Sequence, residues 1–529
     1  MTSSWLSKFY FFPFLFGLYP VLALIAHNSA EMDLIDGFRS LIGSVLFVLV
    51  INTILLILTK NSIKSALLTT IFLLLFYSYG HINLVSRSWS ILEFSIGRHR
   101  TLLPLYVFIF ILMTWLIIRT KRDLSVSVRF LNAFSLILLI FPLLQIGTYQ
   151  VTEFQAQRQL ELTSTKSEDV QIENQKTPPD VYYIVVDGYP RGDFISEYLD
   201  SSNADFLKKL EEIGFFVAHC SMSNYSDTRF SLASTLNMTY LDGGEEIPEV
   251  VFPGSTLDGM IRSGRVQSNF SELGYTIVTF ESGYKWLRWD AADLHLDPTQ
   301  EQTIFFLRGG LNSFEQLFLG TTVVKLILDI PVLIERTQLE VLEDFVNNPR
   351  AAHRERVLFV LDQVAEMPGT VTGPKFVYAH IIFPHPPFVL DAVGNPLQNS
   401  PPDEITAYAD QITYLNKRLL RIVDELIENS DPDPIIIIQG DHGATLDYQG
   451  LDIDEANRLG ILSAYYFPQK PNGEPTSINQ EILYPSITPV NTFRVIFDEY
   501  YAGNYGLLED KSILGKQSPL ISIECNPSE

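Results

Sequence analysis

IIIIQGDHG, residues 435–443, decides the fold. Four consecutive Ile residues, Ile435 to Ile438, form a short apolar run bounded by turn residues, which reads as a strand buried on both faces. Asp441 and His442 then fall at its carboxyl end, and the flanking Gly440 and Gly443 let the backbone turn tightly.

Working outward, VYYIVVDGYPR (181–191) repeats the pattern. Val181 to Val186 is β-branched and aromatic, and Asp187 and Gly188 end it. Asn203 can cap a helix whose Phe206, Leu207, Leu210 and Ile213 follow helical spacing, and Gly214 stops it before a strand at Phe215 to Ala218, a β-α-β unit. Further strands are expected at Thr276–Phe280, Phe376–Ile382 and Ser463–Phe467, with an amphipathic helix from about Glu404 to Glu428. Alternation of this kind specifies an α/β fold, a mostly parallel sheet in an α/β/α sandwich. In such sheets ligands bind beyond the carboxyl ends of the strands, so polar residues just after a strand are the first candidates for chemistry.

The chain ahead of this domain obeys another solvent. Phe9–Ala26, Ser40–Thr59, Ser65–Val85, Thr101–Ile118 and Phe130–Thr148 are apolar runs near the ~20 residues that a membrane-crossing helix needs. The first 149 residues hold 11 Lys and Arg and 5 Asp and Glu, out of 37 and 61 in the chain. The remainder is therefore strongly acidic, which excludes nucleic acid as a partner. Lys60, Lys64, Arg119, Lys121 and Arg122 flank or fill two loops, whereas Glu31, Asp33 and Asp36 crowd the first loop. The positive-inside bias then puts the N-terminus in the cytoplasm and everything past Tyr149 outside. The expected organisation is a five-helix transmembrane domain (1–149), a juxtamembrane linker, helical at first (150–179), and an extracytoplasmic catalytic domain (180–529). With only two cysteines, Cys220 and Cys525, a Cys-rich zinc site is excluded, and no bridge between them is expected.

Four strand-end elements carry chemistry. An Asp-His pair, Asp441 and His442, together with Asp187 from a separate strand, suits a divalent metal with mixed oxygen and nitrogen ligands. In SNYSDTRFSLASTLNM (223–238) Thr228 heads a helix, where free N–H groups and the dipole favour an anion. Taken alone, Thr228, Ser226 or Asp227 would be an ordinary N-cap. HIIFPHPPF (380–388) sets His380 and His385 five apart in a Pro-rich turn, suited to gripping a phosphate or donating a proton.

These four elements, in this order, resemble the alkaline phosphatase and sulfatase superfamily, and more closely its membrane-bound branch, the lipoteichoic acid synthases and lipid A phosphoethanolamine transferases. The resemblance implies a sulfatase-like domain in which Asp187, Thr228, Asp441 and His442 share one divalent metal (manganese, zinc or magnesium). It implies Thr228 as nucleophile and His380 and His385 as the phosphate-gripping histidines. Trp286 and Arg288 of SGYKWLRWD match a Trp-x-Arg near the lipid phosphate. The reaction implied is transfer of a phosphoglycerol or phosphoethanolamine head group from a membrane lipid to an envelope glycan or lipid. Its alternative is hydrolysis of a sulfuric ester or phosphodiester at the same site. Gly188 stands where sulfatases carry a second aspartate, and CSMSN at Cys220 lacks the Pro or Ala and the Arg of the formylglycine motif, so Cys220 reads as a structural thiol. Oligomeric state is not legible in the sequence.

Overall fold

A computed structural model of the chain describes residues 10–86, 89–91, 94–95, 97–163, 178–241, 254–289, 291–298, 312–328, 340–397, 401, 403–444, 455–468 and 482–514. The chain divides into two compact units, Met1–Thr152 with Gln302–Pro349, and Glu153–Glu301 with Arg350–Glu529.

The first unit is built on apolar helices: α1 (Phe12–His27), α2 (Phe38–Thr59), α3 (Ser62–Ser86), α4 (His99–Arg119) and α5, which runs over Ser125–Thr163. Four stretches, Leu34–Thr59, Ser62–Ser86, His99–Arg119 and Ser125–Gln155, are long and apolar enough to cross a bilayer. The 16 residues of α1 rise only about 24 Å at ~1.5 Å each, short of a ~30 Å hydrocarbon core. Leu49, Val50, Ile54, Ile57 and Leu58 on α2 are exposed, as lipid-facing residues of a membrane protein are. Inside, small residues let helices close. The Ser44 hydroxyl donates to the Gly17 carbonyl at 2.6 Å and meets the Tyr77 hydroxyl at 2.8 Å.

One segment sits where the sequence did not put it. Residues 312–328, expected in the catalytic domain, pack with the N-terminal helices. Asn312 caps the helix Ser313–Gly320 by accepting from the Glu315 N–H at 2.8 Å. Glu315 takes both prongs of the Arg39 guanidinium, at 2.7 and 2.5 Å. Phe314 and Phe318 complete the apolar cluster of Val21, Ile25, Leu73 and Tyr77.

The second unit contains a seven-stranded sheet, which we number β1 (Val181–Val186), β2 (Phe216–Val217), β3 (Thr276–Phe280), β4 (Leu294–Leu296), β5 (Lys375–Ile381), β6 (Ile435–Gly440) and β7 (Ser463–Tyr466). The order is β2-β7-β6-β1-β5-β3-β4, parallel except where β7 runs antiparallel to both its neighbours. The β-α-β unit beginning at β1 skips two strands, since β2 pairs at the sheet edge with β7. β4 had no clear signature in the sequence.

Strand parity divides the core. Tyr182, Ile184 and Val186 face a cluster that includes Leu361, Ile412, Leu415 and Leu419 from the helices Glu340–Thr370 and Glu404–Asn429. Val181, Tyr183 and Val185 face Ala233, Leu236, Phe270 and Phe493. Burial on both faces explains why β1 and β6 read as unbroken apolar runs. The exception is Gln439, which lies buried in β6. Its side-chain oxygen accepts from Tyr183 at 3.0 Å, and its amide nitrogen lies 3.0 Å from Ser463 and 3.1 Å from Tyr465, so β1, β6 and β7 are tied just below the strand ends.

Against expectation, Cys220 is disulfide-bonded. The only other cysteine in the chain is Cys525, outside the described residues. Cysteine count alone does not determine pairing.

Gly440 closes β6 where a Cβ would stand 2.7 Å from the Tyr189 carbonyl oxygen and 3.3 Å from the Ile461 Cβ. Gly440→Ala is expected to cost about 1–3 kcal/mol, because the obstacle is backbone that cannot swing away. Thermal unfolding of the purified variant checks this through a lowered midpoint.

Candidate metal centre

The three central strands end level. Val186 is in register with Ile381 of β5 and with Gly440 of β6, so Asp187 and Asp441 leave adjacent strands side by side. His380 pairs with Val185 in register. By the two-residue period, Asp187, His380 and Asp441 continue the rows of Val185, Tyr378 and Ile437, and so share the sheet face that carries the helix Thr228–Asn237.

On that face the side chains converge. The Nε2 of His442 lies 3.5 Å from Asp187 Oδ1, 3.6 Å from Asp441 Oδ2 and 3.1 Å from the Thr228 hydroxyl. The Nε2 of His380 lies 3.7 Å from Asp187 Oδ2 and 3.9 Å from Asp441 Oδ2. Asp187, His380 and Asp441 offer ligand atoms all within 4.8 Å of one another. Separations of 3.5–3.9 Å are near the ~3.4 Å edge of a tetrahedron with ~2.1 Å metal–ligand bonds.

The local backbone holds these groups in place. Asp441 Oδ1 accepts from the Gly188 N–H at 3.0 Å and from the His442 N–H at 2.9 Å, which leaves Oδ2 facing the cluster. His442 Nδ1 is 2.7 Å from the Gly443 carbonyl. That contact places its proton on Nδ1 and presents a lone pair at Nε2. Gly188 has φ +69°, and the Tyr408 hydroxyl donates to its carbonyl. Asp227 caps the helix Thr228–Asn237, accepting from the Arg229 N–H at 3.0 Å, so Thr228 occupies the first helical position with its hydroxyl turned to His442. Ser231 donates to the Asp441 carbonyl at 2.5 Å, and the Ser223 hydroxyl is buried.

The donor set fits a divalent cation. Asp187 Oδ1, Asp441 Oδ2 and both ring nitrogens of His380 are buried without a hydrogen-bond partner, an expensive arrangement for two carboxylates unless a cation completes it. Burial and then the neighbouring Asp441 push the Asp187 carboxyl well above its ordinary range. Burial also opposes ionisation of Asp441, but His442 and His380 outweigh it and lower its pKa. His442 is raised, since Asp441 and Asp187 overcome its burial, whereas burial takes His380 down to about 4.

The remaining candidates fall into different environments. His380 was expected beside His385 on the phosphate, but its ring stands among the carboxylates. His385 lies half-buried in the Pro-rich turn, its N–H donating to the Asp187 carbonyl at 3.1 Å and its ring 6.3 Å from that of His442. Trp286 is buried with the Arg229 guanidinium 4.7 Å over its ring, and Arg229 also pairs with Asp258 at 3.1 Å. Trp286 thus packs on the residue after Thr228, while Arg288 is exposed. Sequence reasoning missed Tyr408 and a second polar group at Glu281, His353 and Arg356. For the last the signal was available in part, as His353 and Arg356 stand three apart on one helical face.

Residues 340–487 match the family model of the sulfatases, an enzyme family, and this stretch contains His380, His385, Asp441 and His442. No curated protein matches the chain. Among solved structures, the chain is similar to the C-terminal periplasmic domain of EcEptC from Escherichia coli in complex with Zn, at 12% identity and a TM-score of 0.42, covering 67% of this chain and 95% of that one. The integral membrane lipooligosaccharide phosphoethanolamine transferase A of Neisseria meningitidis gives 12% identity and 0.40 over 94% and 96%. The phosphonate monoester hydrolase of Agrobacterium radiobacter gives 14% and 0.33 over 60% and 73%. The expected kinship with sulfatase-type enzymes is thus carried by the family match.

Burial and then Arg356 hold His353 down to about 3, so it stays neutral in the fold at pH values where an unfolded histidine, near 6.5, takes a proton. A depressed histidine stabilises fully above its ordinary pKa and loses that contribution as pH falls. The second unit is therefore expected to lose about 1.4 kcal/mol per pH unit through His353 as pH drops below 6.5. His353→Gln should flatten that slope in denaturant titrations of the metal-free protein at pH 6.5 and 4.5.

Proposed function

We propose that the chain is a metal-dependent transferase that moves a phosphate-ester head group from a membrane lipid to a glycan or lipid of the cell envelope through a Thr228-linked intermediate. The observation that carries this reading is the placement of the Thr228 hydroxyl. It stands at the first position of a helix, 3.1 Å from His442 Nε2, beside two buried carboxylates with unpartnered oxygens.

Asp187, Thr228, Asp441 and His442 would hold one divalent ion of manganese, zinc or magnesium, with His380 facing the same carboxylates. Bound there, such an ion supplies Lewis acidity, which lowers the hydroxyl pKa and offsets charge on the phosphoryl oxygens. The protein's own groups do the rest. Thr228 Oγ, already ionised, attacks phosphorus as the bond to the lipid alcohol breaks, and the departing alkoxide takes a proton from His385. In the second step the acceptor hydroxyl gives its proton back to His385, attacks the phosphorus and releases Thr228. The N–H groups of the first helical turn face the anion, and Trp286 keeps Arg229 beside it.

The membrane helices support a lipid donor, since a soluble ester needs no such anchor. A disulfide-bonded Cys220 supports an oxidising, extracytoplasmic setting for the second unit and leaves no thiol for formylglycine chemistry. The sulfatase match favours a second reading, hydrolysis at the same site, in which water takes the group from Thr228.

Thr228→Ala is expected to cut turnover by a factor on the order of 10³ or more while leaving the thermal midpoint near that of the parent. Mass spectrometry of parent protein quenched during turnover should find the transferred group on the peptide containing Thr228. A group found on another residue contradicts the assignment.

A further inference from the structure

The turn that carries His385 is poorly equipped to close on its own backbone. Residues 384–390, PHPPFVL, include Pro384, Pro386 and Pro387, which have no N–H to give to a ladder across the turn. The Pro384 carbonyl at its start and the Val389 and Leu390 N–H groups at its end belong to buried residues. Buried main-chain groups of this kind are costly unless a partner is supplied from elsewhere.

One side chain meets all three. Gln411, fully buried on the helix Glu404–Asn429, accepts through Oε1 from the Val389 N–H at 2.7 Å and from the Leu390 N–H at 3.3 Å, and its Nε2 donates to the Pro384 carbonyl at 3.0 Å. The position needs an acceptor and a donor on one long side chain, which is what a glutamine amide offers. Three residues earlier on the same helix, Tyr408 donates its hydroxyl to the Gly188 carbonyl. Arg350 adds a bond from its guanidinium to the Phe388 carbonyl. Within the turn, the His385 ring is held by a 2.7 Å contact between Nδ1 and the Pro386 carbonyl, and its N–H donates to the Asp187 carbonyl at 3.1 Å. A Cβ on Gly188 would stand 3.7 Å from His385 Cβ and Cδ2 and 3.6 Å from His442 Cε1, so the His385 side chain lies against the metal-binding turn. The ring is thus fixed to the turn, and Gln411 ties the two ends of the turn together.

Fixing the turn matters because a proton donor acts only from within hydrogen-bond reach of the departing oxygen, and a displacement of about 1 Å is enough to lose it. Gln411 is fully buried and so does not reach a substrate itself. We propose that Gln411 is a positioning residue for head-group transfer, which holds the His385 ring at the leaving oxygen without touching the substrate. This inference rests on the part given to His385 in the reaction proposed above. No bond is made or broken at Gln411 and it exchanges no proton with the reactants, so its loss falls on esters whose leaving alcohol must be protonated.

The test compares two diesters on the detergent-solubilised, zinc-loaded full chain. One is phosphatidylglycerol or phosphatidylethanolamine, whichever the parent cleaves faster, whose alkoxide must be protonated. The other is bis-p-nitrophenyl phosphate, whose phenolate leaves without a proton. In Gln411→Met the ratio of kcat/KM for the aryl diester to that for the lipid is expected to rise about tenfold or more, through kcat on the lipid rather than KM. Tyr408→Phe, which loosens the neighbouring Gly188 turn from the same helix, should slow both substrates alike and keep the parent's ratio. In the metal-free chain, hydrogen exchange at the Val389 and Leu390 amides should be about tenfold faster or more in Gln411→Met than in the parent. Should Gln411→Met not fold, Gln411→Glu serves. It keeps the acceptor for both N–H groups, loses the donor to Pro384, and should shift the ratio in the same direction. A ratio that stays at the parent's value in the variant that folds overturns the assignment, as does an equal shift in Tyr408→Phe or unchanged amide exchange in Gln411→Met. The transferase reading fails separately. If the head group goes to water and never to an acceptor while the ratio still shifts, Gln411 keeps its role and the proposed transfer falls. Parent protein that cleaves neither diester overturns both.

Discussion

Two carboxylates buried side by side are the constraint on which the second unit depends. Asp187 and Asp441 emerge from neighbouring parallel strands whose ends the register fixes at one level. Desolvation and mutual repulsion make that arrangement costly by itself. Everything around them reduces the cost. Gly188 and His442 donate backbone N–H groups to one oxygen of Asp441, two imidazoles approach the rest, and the helix Thr228–Asn237 points its N-terminus at the cluster. What remains unmatched on Asp187, Asp441 and His380 is the set of atoms a cation would take up.

The fold was legible because its central strands are buried on both faces. Four Ile residues in β6 and the Val-Tyr-Tyr-Ile-Val-Val run of β1 leave little alternative to a covered parallel sheet, and the residue after each strand is then a candidate ligand. Asp187, Asp441 and His442 could be singled out on those grounds, and the structure brings them together with Thr228, which the resemblance singled out. His380 was harder. His385 lies five residues on in the Pro-rich turn, and only the two-residue parity of β5 shows that His380 faces the carboxylates. Sequence spacing could not reveal the disulfide of Cys220, the edge placement of β2 or the short strand β4, because each depends on contacts across long stretches of chain.

The segment at 312–328 shows a related limit. Its composition gave no reason to separate it from the catalytic domain, yet its aromatic residues fill the cluster around Tyr77, and a bidentate Arg39–Glu315 pair fixes its first turn. Apolar helices designed for lipid still need specific partners where their interior is incomplete, and here an insertion from far along the sequence supplies Phe314 and Phe318. A contiguous stretch of sequence is therefore a poor guide to a compact unit in this chain.

The central claim is that Asp187, Thr228, Asp441 and His442 enclose a divalent cation. Anomalous diffraction from crystals of the full chain grown with zinc, measured on both sides of the metal edge, tests it directly. The account predicts one strong peak about 2.0–2.2 Å from His442 Nε2 and from carboxylate oxygens of Asp187 and Asp441, with the Thr228 hydroxyl in the same shell. A peak elsewhere with this pocket empty, or Thr228 turned away from an occupied one, would contradict it.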